Sequence, residues 1–149
     1  MLTLDPKRYE IIIHVDPAFV DRRGAIVNVL QSDDALLPEE CRISHVAVID
    51  CIEGAIRANH YHPPGNVQFM YLISGAYRSL SVPLNEAGLP VGEVVEQRHR
   101  AGDLSRVEGM IGHAYEFTEP SVFVNINTQS RHADGFGQHT LPLPVALLP

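Results

Sequence analysis

Apolar and polar residues alternate along most of this chain in short runs, which Pro, Gly, Asn and Asp residues interrupt. The pattern is clearest in residues 121–128, where Val122, Val124 and Ile126 alternate with aromatic or amide residues. Because successive side chains of a β-strand point to opposite faces, this alternation predicts a half-buried strand. Runs of the same kind, or rich in β-branched residues, predict further strands over residues 10–15, 24–30, 43–49, 76–84, 92–99 and 113–117.

The spacing of these strands indicates the fold class. Turn signals separate them about every eight to twelve residues, which favours an all-β sandwich or barrel over alternating strands and helices. Residues 33–40 are the best place for a short helix or an irregular loop, and residues 107–112 are expected to form a loop that leads into the strand at 113–117. A jelly roll, which is built from two sheets of antiparallel strands, fits this pattern.

Chain length and composition limit the domain organisation. With 149 residues, of which 45% are hydrophobic and 19% charged, the chain has the size of one domain and can bury a core of its own. We expect a single domain over residues 1–149, with its core in residues 10–128. Residues 129–149 are polar and then Pro-rich, and we expect this tail to lie over the surface or to cross to a partner subunit.

The charge balance and a few residue counts exclude several classes of protein. A net charge of −7 and an isoelectric point near 5.5 argue against a nucleic-acid partner, because such proteins concentrate Lys and Arg. Lys7 is the only lysine, and Cys41 and Cys51 are too few for a disulfide framework or a cysteine-rich zinc site. No apolar run approaches the ~20 residues of a membrane span, and the N-terminus lacks the apolar core of a secretory signal, so we expect no membrane partner and a cytoplasmic location.

Residues 54–75 carry the candidate chemistry. His60 and His62 lie one residue apart, Gln68 follows them, and Gly75 closes the stretch. On a strand, residues i and i+2 share one face, so the two imidazoles can converge on one metal ion. A pair of histidines at this spacing is a stronger signal than any single histidine, which is more often a core residue.

Strand alternation places further residues around the same point. Arg57 faces away from His60 under strict alternation, and it reaches the same side only if the strand contains a bulge near Ala58. If it does, its guanidinium can bind a diphosphate or carboxylate through two parallel hydrogen bonds. Three rows of side chains are expected to line one cavity: Ile56, Ala58, His60 and His62; Gln68, Met70 and Leu72; and His113, Tyr115 and Phe117.

The spacing of these residues resembles the motifs of the cupin superfamily. Gly54, His60, His62 and Gly75 match the first cupin motif, G(X)5HXH(X)3-4E(X)6G, with Gln68 in place of the glutamate and one or two residues later. The second motif, G(X)5PXG(X)2H(X)3N, is matched at Gly102 and His113, but Glu108, Met110 and Phe117 stand where its Pro, Gly and Asn belong. The resemblance implies a cupin jelly roll, also called a double-stranded β-helix.

Within that superfamily the chain resembles the sugar-nucleotide branch. Residues 21–26, Asp-Arg-Arg-Gly-Ala-Ile, are similar to the Asp-x-Arg-Gly motif of dTDP-4-dehydrorhamnose 3,5-epimerases, nucleotide-sugar ketoisomerases and the cupin domains of capsular polysaccharide enzymes. Residues 54–62 are similar to their Gly-x-x-Arg-Gly-x-His-x-(Gln/His) element. The resemblance implies that His60 is a catalytic base and that Arg57 binds the anionic part of a substrate. Tyr115, two residues after His113, is a candidate catalytic acid.

Departures from the epimerase pattern add ligands to a metal site. Met70 stands where epimerases carry the lysine that stabilises an enolate, and a preorganised charge of this kind is usually a large catalytic term. His62 stands where many of them have glutamine. The expected ligand set for a divalent metal (Zn, Fe, Ni or Mn) is His60, His62, Gln68 and His113. Arg57, Asn59 and Met70 are the candidate substrate-binding residues.

Three classes of function remain open at this point. The first is an isomerase or epimerase acting on a free or nucleotide-linked sugar, in a pathway such as polysaccharide biosynthesis. The second is a metal-dependent oxygenase or lyase acting on another small molecule. The third is a non-catalytic sugar-binding module that keeps the cavity. In each case we expect a small-molecule partner and, from the resemblance, a homodimer.

Overall fold

The computed structural model of the chain describes residues 4–31, 36–37, 42–128 and 140–149, and these residues form strands and turns without a helix. Within them, no helix is long and apolar enough to cross a membrane. The strands in chain order are β1 (Ile11–His14), β2 (Phe19–Asp21), β3 (Gly24–Ile26), β4 (His45–Cys51), β5 (Ile56–Tyr61), β6 (Val67–Ser74), β7 (Ala76–Pro83), β8 (Val95–Arg100), β9 (Asp103–Glu108), β10 (Ile111–Phe117), β11 (Ser121–Asn127) and β12 (Leu141–Pro142).

Ten of these strands form two five-stranded antiparallel sheets. The first has the order β1-β9-β6-β11-β4, and the second has the order β12-β5-β10-β7-β8. Strands β2 and β3 pair with each other as a separate hairpin. Strands that follow one another in the chain often lie in different sheets, as in a jelly roll. The predicted all-β jelly roll is confirmed.

A tight turn at Gly75 carries the chain from β6 in the first sheet to β7 in the second. Gly75 has a φ of +95°, in the left-handed region that favours glycine. A Cβ atom there would overlap the Ser121 hydroxyl and the Pro120 carbonyl oxygen. Both reasons require glycine at the end of the histidine-containing stretch, where the first cupin motif has one.

The main core lies between the two sheets. Phe117 from the second sheet stacks on Phe123 from the first, with ring centroids 5.5 Å apart and planes 10° from parallel. Neither ring is more than 3% exposed. Around them pack other inward residues of both sheets: Cys51, Met70, Leu72, Tyr77 and Tyr115. Four of the predicted cavity residues, Met70, Leu72, Tyr115 and Phe117, therefore belong to the core between the sheets.

Most of the predicted strands coincide with observed ones, and two predictions need correction. Residues 107–112 were expected to form a loop, but β9 and β10 occupy all of this range except a two-residue turn at Gly109 and Met110. The prediction was wrong because β9 has paired neighbours on both sides, β1 and β6, which its sequence does not reveal. The strand predicted over residues 24–30 is shorter, since β3 ends at Ile26.

The C-terminal segment, residues 140–149, packs against the second sheet. β12 extends that sheet by pairing Leu141 with Tyr61 and Pro142 with His60. Leu148 is 3% exposed. Residues 129–139, which belong to the predicted tail, and most of the helix or loop predicted over residues 33–40 lie outside the described residues.

Candidate functional site

Three histidines meet between the sheets. His60 lies in β5, His62 follows just after that strand, and His113 lies in β10, where it pairs with His60. The ring centroids are 4.9 Å apart for His60 and His62, 4.7 Å for His60 and His113, and 5.4 Å for His62 and His113. One ring nitrogen of each lies within 4.8 Å of one from each of the others. The structure thus brings together the three predicted imidazole ligands.

The hydrogen bonding of His113 defines which of its nitrogens faces a ligand. Nδ1 lies 2.9 Å from the Ile111 carbonyl oxygen, so it carries the proton and donates it. Nε2 is buried and has no hydrogen-bond partner. Burial, together with the neighbouring His60 and His62, lowers the pKa of His113 well below its usual value. His113 is therefore neutral at pH 7 and presents an unprotonated nitrogen, which is the form that binds metal.

Gln68 and Met70 extend the cluster along β6. The Gln68 amide oxygen lies 3.1 Å from His62 Nε2, and its amide nitrogen donates to the Met70 sulfur at 3.5 Å. Both side chains are at most 4% exposed. Among the described residues, the group of His, Cys, Asp and Glu side chains close enough to share a metal consists of the three histidines alone. The donor set is accordingly neutral.

A pocket opens from this cluster towards solvent. Its volume is about 420 Å³ with its open mouth included. His60, Gln68, Met70 and Tyr115 line it, and Arg57 is the one charged residue of its lining within the described part of the chain. The remaining lining comes from Ile49, Ala58, Phe123 and Asn125.

A bulge in β5 places Arg57 on this wall. His60 pairs with His113, and Ala58 pairs with the next residue of β10, Ala114, so Asn59 is an extra residue without an opposite partner in the ladder. Ala58 and Asn59 both have positive φ, +67° and +56°. The extra residue reverses the alternation, as the sequence argument required for Arg57 to reach the cavity.

Because of this bulge, one residue predicted to line the cavity faces outward. Ile56 was expected to share the inner face with His60, but it pairs with Glu116 and is 39% exposed. Arg57 takes the inner position instead, opposite Tyr115. Its Nε donates to the Cys51 sulfur at 2.9 Å and its guanidinium also donates to the Asp50 carbonyl oxygen at 3.3 Å.

Tyr115 supplies a phenol group beside the histidines. It is 2% exposed, and its ring centroid lies 5.5 Å from that of His113. Its hydroxyl has no partner at hydrogen-bond distance and angle. Burial and then the nearby Glu10 carboxylate raise the pKa of Tyr115 well above its usual value. The hydroxyl is consequently protonated at pH 7 and can donate a hydrogen bond to a ligand in the pocket.

Glu10 is a buried carboxylate that no sequence pattern had indicated. It is 0% exposed, and its Oε1 accepts hydrogen bonds from the Ser79 hydroxyl at 2.5 Å and from His99 Nε2 at 3.0 Å. His99 itself stacks on Tyr77 with centroids 3.8 Å apart. Burial by itself raises the pKa of Glu10, but the charge of His99 and the bonds from His99 and Ser79 outweigh it, so the pKa is lowered.

Asn59, a predicted substrate-binding residue, does not line the pocket. Its side-chain amide is bonded to the backbone of Leu147 and Leu148 in the C-terminal segment. The other two predicted substrate-binding residues, Arg57 and Met70, do line the pocket. Asn125, which the sequence analysis did not select, lines it as well.

Comparison with solved structures identifies the fold. Neither a protein-family model nor a curated protein matches the chain in sequence. The dTDP-4-dehydrorhamnose 3,5-epimerase from Sulfolobus tokodaii superposes with a TM-score of 0.71 at 18% identity, covering 93% of this chain and 78% of that one. NovW, a 4-keto-6-deoxy sugar epimerase from Streptomyces spheroides, gives 0.68 at 15% identity, with coverages of 88% and 67%.

A third similar structure is an isomerase. A point mutant of the 3,4-ketoisomerase QdtA from Thermoanaerobacterium thermosaccharolyticum, in complex with TDP-4-keto-6-deoxyglucose, gives a TM-score of 0.63 at 12% identity, with coverages of 84% and 83%. The chain has the cupin-like jelly-roll fold of these sugar-nucleotide epimerases and isomerases. The fold implied by the sequence resemblance is confirmed.

Proposed function

We propose that this protein binds a divalent first-row metal ion through His60, His62 and His113 and acts on a small anionic substrate in the adjoining pocket. The observation that carries the proposal is the convergence of three imidazoles, two of them fully buried, on one point. Gln68 is the candidate fourth ligand. When bound, such an ion supplies a Lewis acid or lowers the pKa of a bound water molecule.

The chemistry of the donors supports a metal. Imidazole is a common ligand of Zn, Fe and Ni, and it binds them only in its unprotonated form. His113 is held in that form by burial and by its hydrogen bond to Ile111. That hydrogen bond to a backbone carbonyl also fixes the ring orientation, as an outer-shell partner of a metal-binding histidine does.

The charges around the pocket support an anionic substrate. The three histidines and Gln68 are neutral donors, so a divalent ion would keep its full charge, and Arg57 adds another positive charge to the pocket lining. A carboxylate or phosphate group would neutralise both. Related folds bind such ligands, since one epimerase was solved with dTDP-D-xylose and another with dTDP-quinovose. We therefore propose a sugar nucleotide or a smaller sugar acid or phosphate as substrate.

The protein's own residues have distinct tasks in this proposal. Arg57 binds the anion through its guanidinium. Tyr115 donates a hydrogen bond from its protonated hydroxyl to an oxygen of the substrate and can serve as an acid. Met70 provides an apolar wall where epimerases present a lysine, which excludes the enolate stabilisation that the lysine gives.

A metal-independent epimerase or isomerase is the second candidate. The similarity of the fold to sugar-nucleotide epimerases favours it, and so does the position of Tyr115 on the strand beside the one that carries His60. His60 would then be the base and Tyr115 the acid. The absence of a lysine at Met70 is the main argument against it.

Metal analysis and thermal unfolding separate the two candidates. Protein purified without nickel resin is expected to carry stoichiometric metal, and after EDTA treatment its unfolding midpoint should rise on addition of Zn²⁺, Mn²⁺ or Ni²⁺. The double variant His60→Ala/His62→Ala should lose both properties, whereas His14→Ala, a histidine outside the cluster, should keep them. Absence of metal and of any metal-dependent shift, combined with a shift on adding dTDP-glucose, would favour the second candidate.

We also propose that the protein is a homodimer. Val46 and Val48, on the outer face of the edge strand β4, are 59% and 70% exposed, and Ile73 of β6 is 49% exposed. Exposed apolar surface on a sheet face is typical of a subunit interface. Light scattering at micromolar concentration should give a dimer for the wild-type chain and a monomer for Val48→Asp. A monomeric wild type would refute the proposal.

A further inference from the structure

The bulge in β5 is held by the C-terminal segment. Asn59 Oδ1 accepts hydrogen bonds from the backbone N–H groups of Leu147 and Leu148, both at 3.0 Å, and Asn59 Nδ2 donates to the Leu148 carbonyl oxygen at 3.0 Å. The Asn59 carbonyl oxygen accepts from the Leu143 N–H at 3.2 Å. These four hydrogen bonds join the one extra residue of the bulge to a single segment.

The bulge is a conformation that the local sequence disfavours. Left-handed backbone is uncommon outside glycine, and two such residues follow one another here, Ala58 and Asn59. A regular strand would relieve this strain and restore strict alternation. Arg57 would then point to the outer face, away from His60. Tertiary contacts must therefore stabilise the bulge, and the described contacts that act directly on it come from β10 and the C-terminal segment.

We propose that the C-terminal segment positions the site: through Asn59, its hydrogen bonds maintain the bulge and thereby keep Arg57 on the inner face beside the histidines. Asn59 is a positioning residue, because its side chain bonds to Leu147 and Leu148 and does not line the pocket. The same segment also contacts β5 beyond the bulge, because its strand β12 pairs with His60 and Tyr61. This role is independent of which metal or anion the pocket accepts.

Cys51 reports the orientation of Arg57. Its thiol accepts the hydrogen bond from Arg57 Nε, and the residue is 6% exposed. If Arg57 turned to the outer face, the thiol would lose the guanidinium that contacts it and would react faster with an added reagent. Because the chain has two cysteines, Cys41→Ser leaves Cys51 as the single reactive group.

The experiment compares thiol reactivity in the full, ligand-free chain carrying Cys41→Ser. Asn59→Ala removes the amide and adds strain at residue 59, whereas Asn59→Gly removes the amide and relieves the strain at that residue only, so Ala58 still has to be held in its left-handed conformation. Both variants are expected to react with 5,5′-dithiobis(2-nitrobenzoate) about tenfold faster than the parent, since loss of the three side-chain hydrogen bonds shifts a local equilibrium by at least that factor. Asn59→Gly keeps the test valid if the alanine variant does not fold.

A matched control separates local rearrangement from general loss of stability. Val67→Ala removes buried volume in a core cluster on the other sheet, away from β5, and urea can be added until its stability equals that of the Asn59 variants. Its Cys51 should react more slowly than theirs. Reaction of Asn59→Gly at the parental rate, or of both Asn59 variants at the control rate, would overturn the proposal. No ligand is present, so neither result bears on the proposed function.

Discussion

Replacing Glu10 by Gln tests whether the buried ion pair between the sheets stabilises the fold. The substitution keeps the size of the side chain and an oxygen that can accept from Ser79, but it removes the charge that faces His99. A hydrogen bond to a charged group contributes about 1.5–3 kcal/mol. We expect the free energy of unfolding at pH 7 to fall by about this amount, and by about 3–5 kcal/mol in Glu10→Ala, which leaves His99 with Ser79 but without its carboxylate partner.

The pH dependence of this loss distinguishes the charge from packing. The pKa of Glu10 in the folded protein lies below its usual 4.5, so the carboxylate binds fewer protons folded than unfolded. Its contribution is therefore fully present above the unfolded pKa and is lost as the pH falls through the folded pKa. The stability difference between wild type and Glu10→Gln should shrink as the pH falls below about pH 4.5.

Urea unfolding curves at several pH values measure both quantities. Ser79→Ala is a useful comparison, because it removes the hydroxyl that contacts both Glu10 and His99 and leaves the carboxylate facing the imidazole. If Glu10→Gln were as stable as wild type at pH 7, the ion pair would contribute nothing net. A stability difference that stays the same from pH 7 to pH 3 would show that the loss comes from packing, and the electrostatic reasoning would be refuted.

Three further substitutions test the site and the core. Gly75→Ala should lower the free energy of unfolding by at least about 2 kcal/mol in urea titrations, because it adds left-handed strain and a clash with the Pro120 carbonyl; an unchanged midpoint would contradict this. Phe123→Ala should cost about 3–5 kcal/mol by the same assay, and a loss under about 1 kcal/mol would mean that the ring stack with Phe117 is unimportant. Arg57→Gln should weaken binding of inorganic diphosphate about 10- to 100-fold in calorimetry without changing Zn²⁺ affinity, and equal diphosphate binding would remove Arg57 from the substrate site.

The strands and the histidine pair were predictable because they depend on local rules. Alternation in residues 121–128 predicted β11, and the spacing of His60 and His62 predicted that both rings lie on one side. Gly75 was identified by motif spacing, and its turn has the backbone conformation that glycine favours. In each case, neighbouring residues carry enough information to define the feature.

Other parts of the site depend on contacts between distant segments. The loop predicted over residues 107–112 proved to be a two-residue turn, at Gly109 and Met110, between two strands. The end of β9 is a strand because β9 pairs with β1 and β6, which lie far from it in the sequence. Glu10 gave no signal, because its partners, Ser79 and His99, come from strands far along the chain, 69 residues away in the case of Ser79. Asn59 was predicted to bind substrate, yet the C-terminal segment binds its side chain.

By itself, then, the sequence determined an all-β chain with two converging histidines, because side-chain alternation and turn chemistry act over a few residues. The tertiary structure decided what surrounds those histidines. Pairing of β5 with β10 brought His113 to His60, and the bulge at Ala58 and Asn59 moved Arg57 from the outer face to the inner one. Strand register and bulges are set by partners far along the chain, and one extra residue is enough to exchange the two faces of a strand.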